Sequence, residues 1–338
     1  ALDKNVIDKT DFEVLQPAID YFENKGGSAT DKMRTYYYQG RIYQNQGNDA
    51  LAMECFVSAL SEGKESDDKL TKARILFTQG GIYNKVFEWD KCISTYNEAG
   101  NYFQECGRTS SYINCIASII NVYTIIGDVE QAEHYITIGL NNLAECSMWI
   151  KGYFYSNYII FLTSHRPDRV AEVRRILDIY LDSVDSSYID WLSVSYAYLN
   201  IGDMTQAMEA IKRVNNIPNA QQQVRYYALL ADIHKHKGEY EKALDGYLKY
   251  VKMTDSLDYE KSKAGIEFIE ERHSLELKNI QDKERSDRWV LVAIGVIIIF
   301  LSLLVIIRYR LKVKTVESEL AKQEKEKYRL LYNQIEQE

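Results

Sequence analysis

A pattern that returns every 40 residues governs what this chain can fold into. Tyr43, Tyr83 and Tyr123 stand at that interval, and nine positions after each comes a small residue: Ala52, Cys92 and Ala132. Phe56, Tyr96 and Ile136 follow four later, and Ala59, Ala99 and Gly139 three after that. A fixed period of this size marks one small unit stacked on itself, each copy burying an apolar face that it cannot bury alone. Stacks of this kind present surfaces for binding more than centres for chemistry.

Within a unit the spacing is helical. Gly40 and Tyr43 share one helix face, as do Ala52, Phe56 and Ala59. Between the two groups lies Gln46-Gly47-Asn48-Asp49, with Gly47 placed to end a helix. Each unit therefore reads as a first helix (A), a tight turn and an antiparallel second helix (B). The small residue on helix B lets the two helices approach, and the aromatic or Ile four later fills the gap beside it.

This order resembles the tetratricopeptide repeat, a family with a small residue and Tyr on helix A, Gly-Asp or Gly-Asn at the turn, and Ala, an aromatic and Ala on helix B. Gly40-Tyr43-Gly47-Asn48-Ala52-Phe56-Ala59 fits best; Gly80-Tyr83-Cys92-Tyr96-Ala99 fits with Phe87 in place of the turn Gly. Tyr123-Gly127-Asp128-Ala132-Ile136-Gly139, Trp191-Tyr198-Gly202-Asp203-Ala207-Ile211 and Ala231-Gly238-Glu239-Ala243-Tyr247 are further units, with Pro218 near the family's Pro position. Ala132 to Ala207 is 75 residues, room for one more unit, about Trp149 to Asp185. That unit is degenerate: it keeps Leu162, Val173 and Leu177 but has lost the turn Gly. Arg166-Pro167-Asp168 reads as its turn, with Pro167 suited to a first helical position. The resemblance covers residues 32–258 and implies an all-α, right-handed α-solenoid of about six units. Because the period exceeds the family's usual 34, longer helices are expected.

Only three prolines occur, Pro17, Pro167 and Pro218, which suits a nearly all-helical chain. Residues 1–31 read as the remnant of an earlier unit, with Leu15, Ala18, Ile19 and Phe22 on one stripe ended by Lys25-Gly26-Gly27. Without an initiator Met or a signal peptide at Ala1, the chain is expected to begin partway into a protein. From 259 to 288, Ile266, Ile269, His273, Leu277 and Ile280 mark one side of a capping helix.

Residues 289–307, Trp289 to Ile307, carry no charge, and 15 of the 19 are Leu, Ile, Val or Phe. As a helix at ~1.5 Å per residue the run spans roughly 28 Å, close to a bilayer core. Its aliphatic content favours insertion by ~5–9 kcal/mol before other terms. It is therefore read as one transmembrane helix, with the lipid bilayer as a partner and Trp289 and Tyr309 at the two interfaces. Arg308, Arg310, Lys312 and Lys314 follow it with no acidic residue, against three basic and three acidic residues in 282–288. The excess of cations places the C-terminal side in the cytoplasm and the repeats on the far side of the membrane. In the tail 308–338, Val313, Val316, Leu320, Gln323, Lys327, Leu330 and Gln334 keep 3–4 spacing. That is either a coiled-coil stem, able to form a homodimer, or a solvated charged helix.

Charge separates by region. Residues 1–288 hold 33 Lys and Arg against 43 Asp and Glu, whereas the tail from Arg308 holds 8 against 6. A repeat region at net −10 is a poor binder of nucleic acid, which needs clustered cations. The five cysteines, 55, 92, 106, 115 and 146, make no C-x-x-C pair. Cys92 takes the small-residue position of its unit, and an extracytoplasmic location would open a Cys106–Cys115 disulfide. His234-Lys235-His236 places its imidazoles on different sides of a helix, where they cannot easily share a metal, and His234 stands in for the repeat Tyr. No phosphate-binding, nucleophile-elbow or zinc-protease motif is present, so no cofactor, metal or catalytic residue is assigned.

The resemblance further implies a concave groove lined by helix A. Its ligand-facing positions carry over to Arg34, Tyr37, Arg41, Gln44 and Asn45 in the first unit. In the second they are Arg74, Phe77, Asn84 and Lys85, and in the third Asn114, Asn121 and Thr124. Cations beside Asn and aromatics suit an extended peptide or protein ligand, Asn pairing with its backbone and the cations with its carboxylates; a solvated polar face is the alternative. The pattern departs from the carboxylate clamp of chaperone-binding members, because Tyr37 and Asn114 stand where that clamp has basic residues.

Three functions remain open on the sequence. The layout, with the local stretch Met33 to Arg41, is similar to bacterial inner-membrane regulators that join such repeats, one span and a cytoplasmic helix-turn-helix output. That makes the chain a sensor or adaptor whose output lies beyond Glu338. A sensor histidine kinase with its catalytic part beyond Glu338 is the second reading, and a passive membrane-anchored scaffold the third.

Overall fold

The computed structural model describes residues 9–214 and 220–335, with side chains over 9–22, 26–214, 222–256, 278, 281–327 and 329. Among the described residues there is no strand. Helix α1 (Gln16–Lys25) precedes the first pair, α2 (Ala29–Asn45) and α3 (Asp49–Glu62). Then come α4 (Lys69–Lys85) with α5 (Trp89–Glu105), and α6 (Thr109–Ile126) with α7 (Val129–Asn142). The degenerate unit is α8 (Met148–His165) with α9 (Val170–Ser183), followed by a short 3-10 turn, Ser186–Tyr188. The series ends with α10 (Trp191–Asn200), α11 (Met204–Lys212), α12 (Ala220–His236) and α13 (Tyr240–Ile335). The chain divides within α13 into two units, 1–270 and 271–338.

One backbone device closes the hairpin in five of the six units. The carbonyl at the repeat Tyr position accepts the N–H of the residue five later: Tyr43 from Asn48, Tyr83 from Glu88, Tyr123 from Asp128, Tyr198 from Asp203 and His234 from Glu239, all at 2.9–3.1 Å. The bond requires a left-handed residue just before the donor. Gly47, Gly127, Gly202 and Gly238 supply it at φ +77 to +83°, and in the second unit Phe87 is forced to φ +62°. The residue after it then caps helix B: Asn48, Asp128 and Asp203 accept from Leu51, Gln131 and Gln206 at 2.9–3.1 Å.

Pro167 does not open α9, which starts at Val170. It sits inside a tight turn closed by Arg169 N–H to Arg166 O at 3.0 Å, where its fixed φ suits the second position. Glu133 of α7 holds this turn from the neighbouring unit, 3.0 Å from Arg166 Nε and 2.9 Å from Arg169 Nη2.

The periodic small residues are the close contacts of the stack. Ala52, Cys92, Ala132 and Ala207 are fully buried and Ala243 nearly so. Opposite them, the rings of Phe56 and Tyr96 occupy the space that a Cβ on Gly40 or Gly80 would take: it would lie 2.5 Å from Phe56 Cε1 or 2.7 Å from Tyr96 Cε1. Successive A helices also touch, α6 against α8 and α8 against α10. Helices α2, α4 and α12 have 17 residues and α6 and α8 have 18, but α10 and α11 have 10 and 9, so the expected lengthening fails in the fifth unit.

The N-terminal stripe is built largely as its spacing predicts. Leu15 and Ile19 are buried, Phe12 meets Tyr43 edge-on at 5.0 Å, and Gly26 ends α1 at φ +73°. All five cysteines are free; Cys115 is fully buried in α6 and Cys106 caps the C-terminus of α5, so the pair makes no disulfide.

In the second unit of the chain, the side chains of 289–307 are exposed apart from a half-exposed Gly295, and the stretch is long and apolar enough to cross a membrane. Helix α6 passes the same length and composition test, but half of it is buried among its neighbours as a core helix. Pro218, the start at Ala1, the side chains of Ile266, Ile269, His273, Leu277 and Ile280, and those of Leu330 and Gln334, lie outside the described residues.

Candidate functional site

The predicted groove residues do not gather in one place. Arg34 grips Asp68 through Nε at 2.7 Å and Nη2 at 2.6 Å. Asp68 also caps α4, accepting Thr71 N–H at 3.0 Å and Thr71 Oγ1 at 2.7 Å. Burial pushes the Asp68 carboxyl up, but the bonds from Thr71 and Arg34 outweigh it and hold it below the usual carboxylate range. Lys85 pairs with Asp49 at 3.0 Å. Asn45 donates to Lys9 O at 2.8 Å, fastening the N-terminal segment. Arg41 donates to Gln44 Oε1 at 2.8 Å while its Nε is buried with no acceptor.

Tyr37 is turned inward, 6% exposed and packed on Tyr38 and Phe56, so the ring serves the core and not a ligand face. Phe77 likewise packs on Tyr96 and Phe103, and Thr124 bonds back to Ile120 O at 2.8 Å. Asn84 is half-exposed on α4, and Asn114 is half-exposed on α6, its carbonyl accepting from Ser118. Arg34 and Arg74 do meet, at a hollow of about 520 Å³ that also holds Asp31 and Asp68. Asp68 already answers Arg34 there.

Asn121 belongs to a different place, an open cleft of about 400 Å³ centred on α8 of the degenerate unit. Its Nδ2 donates to Asn157 Oδ1 at 3.1 Å, and Asn157 Nδ2 donates to Tyr153 O at 2.8 Å, so Asn157 is locked and only 3% exposed. Trp149, Tyr153, Ser156 and Ile160 recur at 3–4 spacing and bring one face of α8 to the cleft. Gly152 lies on that face because the 3-10 turn crosses it: a Cβ there would stand 2.3 Å from the Tyr188 carbonyl oxygen. Trp149 and Tyr188 are each about half exposed, at 49% and 50%, which is much aromatic surface for one cleft.

Asp190 and Arg225 face the cleft from beyond the turn. Asp190 is heavily engaged: it accepts Ser156 Oγ at 2.9 Å and Leu192 N–H at 3.1 Å, and its own N–H donates to Tyr180 Oη at 2.8 Å. Burial pushes the Tyr180 phenol up, so this hydroxyl stays protonated. Arg225, on α12, stacks near the Tyr196 ring at 5.9 Å, and its Nη2 is 4.0 Å from Asp190 Oδ2, too far for a hydrogen bond. That nitrogen is buried with no hydrogen-bond partner.

The family model for the tetratricopeptide repeat matches residues 34–62 and 224–256, the first and last units of the series. Hairpins with the same closing bond run between those two matches. This chain is a tetratricopeptide-repeat protein. Such repeats are protein–protein interaction modules, and their fold is typically non-catalytic. No curated protein matches the chain. Among solved structures it is similar to BtubC (BKLC) from P. vanneervenii, at 14% identity and a TM-score of 0.43, over 72% of this chain and 88% of that one. At that level of likeness nothing further about the repeats follows.

Trp149 and Asn157 escaped the sequence reading because the degenerate unit has no turn Gly to set its register; Tyr188 and Asp190 lie in the connector after it, and Arg225 lies in the last unit, beyond the three units onto which the groove positions carry over. One signal was available: Asn157 follows Asn121 by 36 residues, a repeat-like interval.

Proposed function

We propose that this tetratricopeptide-repeat protein is a membrane-anchored adaptor that holds an extended peptide or protein segment along its A helices. The cleft on α8 carries the reading. It joins the A helices α6, α8 and α12, and it sets the Asn121 amide beside the half-exposed Trp149 and Tyr188. Amides suit a ligand backbone and aromatic faces suit its side chains. The hollow at Arg34 and Arg74, on the A helices α2 and α4, is a second candidate stretch in which Arg34 is already paired.

The exposed apolar run 289–307 supports anchoring by a single span. Arg308, Arg310, Lys312 and Lys314 support a cytoplasmic tail with the repeats outside, and on the layout the tail passes the signal to a regulatory output. Exposed Val313, Val316 and Leu320 would serve a dimer stem there.

Membrane fractionation and binding test the two halves separately. Full-length protein should stay in the membrane after alkaline carbonate washing, and Ile298→Arg, at ~2.5–3.5 kcal/mol for a central cation, should release a substantial fraction. Reporter fusions on either side of 289–307 should report the N-terminal side outside. A cytoplasmic N-terminal side would reject the topology, and binding of partner peptides that survives Trp149→Ala with Tyr188→Ala unchanged would reject the cleft.

A further inference from the structure

We propose that the cleft takes an acidic side chain of its ligand on Arg225, with an aromatic or aliphatic neighbour of that residue against Trp149 and Tyr188. This rests on the groove reading above and names the ligand class of the same site.

The argument begins with what Arg225 lacks. Its guanidinium is always charged, and Nη2 is buried without an acceptor, a costly condition for any donor and more so for a charged one. Asp190 is the carboxylate beside it, yet the two stand 4.0 Å apart. Asp190 does not close that distance because Ser156 Oγ and Leu192 N–H hold its oxygens where they cap α10. Arg225 is held in turn by α12, where its own carbonyl accepts Tyr196 Oη at 3.3 Å. The pair is thus kept from closing by two scaffolds, while the Arg225 side chain as a whole stays 30% exposed at the cleft, where an outside acceptor can reach it.

A carboxylate is the acceptor that fits best. Its two oxygens match the fork of a guanidinium, and charge-assisted bonds run near ~2.8 Å. Coulomb energy falls with distance, so a ligand carboxylate bonded at that range feels Arg225 more strongly than it feels Asp190 farther off. The negative charge of Asp190 is also shared with two donors. The cations predicted for this task are placed differently, since Arg34 and Lys85 already bond Asp68 and Asp49. Beside Arg225 the cleft offers Trp149 and Tyr188, each about half exposed, which would be covered by a flanking apolar residue. A neutral amide oxygen is the rival occupant of Arg225, and it predicts a different selectivity.

Full-length protein in detergent micelles is titrated by fluorescence anisotropy with short synthetic peptides. These place Asp, Glu, Asn or Gln next to Leu, Tyr or Gly in a Ser background. Asp and Glu peptides with a Leu or Tyr neighbour should bind about tenfold tighter than their Asn and Gln counterparts. Arg225→Gln should remove that preference while amide peptides still bind, Arg225→Lys should keep part of it, and Lys69→Gln should leave it unchanged. Equal affinity for Asp and Asn peptides would overturn the acidic class and leave the groove standing. No binding by any peptide would overturn both. Should Arg225→Gln fail to fold, the Asp-to-Asn ratio of the unmodified protein decides alone.

Discussion

Replacing Gly152 by Ala separates helix propensity from packing at the floor of the cleft. In a free helix the exchange stabilises by ~1 kcal/mol. Here the new Cβ would lie 2.3 Å from Tyr188 O and 3.3 Å from Tyr188 C, both backbone atoms. Ordinary contact requires a shift of about 1 Å, and no side chain can rotate away to provide it. The 3-10 turn must move instead, against its bonds from Tyr188 N–H to Asp185 O at 2.9 Å and from Ser187 N–H to Asp185 Oδ1 at 2.9 Å. Overpacking of this kind costs ~1–3 kcal/mol, and a backbone obstacle places it at the upper end. The net loss is about 1–2 kcal/mol, or roughly 2–8 °C in melting temperature for a domain of this size. Circular dichroism melts of the full chain in detergent measure it. Gly81→Ala in α4 is the control, because its Cβ would meet nothing nearer than Tyr96 Oη at 3.8 Å and should gain up to ~1 kcal/mol. A Gly152→Ala protein that melts at or above the unmodified one would refute the reasoning.

The turn of the second unit gives a reversed case. Phe87→Gly should be neutral or stabilising by up to ~1 kcal/mol, since relief of the left-handed backbone (~1–2 kcal/mol) offsets the lost edge contact with Trp89 (~0.5–1.5 kcal/mol). Gly127→Ala, at φ +79°, should destabilise by ~1–2 kcal/mol, and equal urea midpoints for the two variants would contradict this. Asp68 sets an acid limit. Its folded pKa lies below the unfolded value near ~3.9, so its stabilisation is complete above that pH and is lost as pH falls through the folded pKa. Asp68→Asn should flatten the fall in melting temperature below about pH 4, and an unchanged slope would dismiss the Asp68 link between α2 and α4. Thiol labelling reads burial directly: burial pushes the Cys55 and Cys92 thiols up to about 12, Cys115 and Cys146 are also buried, and Cys106 is half-exposed. Iodoacetamide at pH 8 should modify Cys106 first by mass spectrometry, the other four following only on unfolding.

Much of the fold was legible because the signals are local. Gly47, Gly127, Gly202 and Gly238 mark turns that depend on one residue's tolerance of positive φ, and Ala52, Cys92 and Ala132 mark contacts within one hairpin. Phe87 was legible as a departure from the pattern, though not as a backbone forced to φ +62°. Arg166-Pro167-Asp168 was legible as a turn, but not the place of Pro167 in it: the same fixed φ suits a helix start and the second position of a turn, and only the bond from Arg169 to Arg166 separates the two. The site was less legible. Family offsets find residues on helix A, but they cannot tell that Asp68 and Asp49 already occupy Arg34 and Lys85, or that Tyr37 turns inward.

By itself the sequence determined the repeat unit, its closing turns and the apolar run 289–307, because each rests on residues close in the chain whose spacing and polarity can be read directly. Tertiary structure decided which polar groups are free for a ligand. Asp190 and Arg225 are 35 residues apart and come within 4.0 Å only when α8, the 3-10 turn and α12 are stacked. Whether such a pair closes or stays open depends on the other bonds each member has already made, and those bonds come from several helices at once.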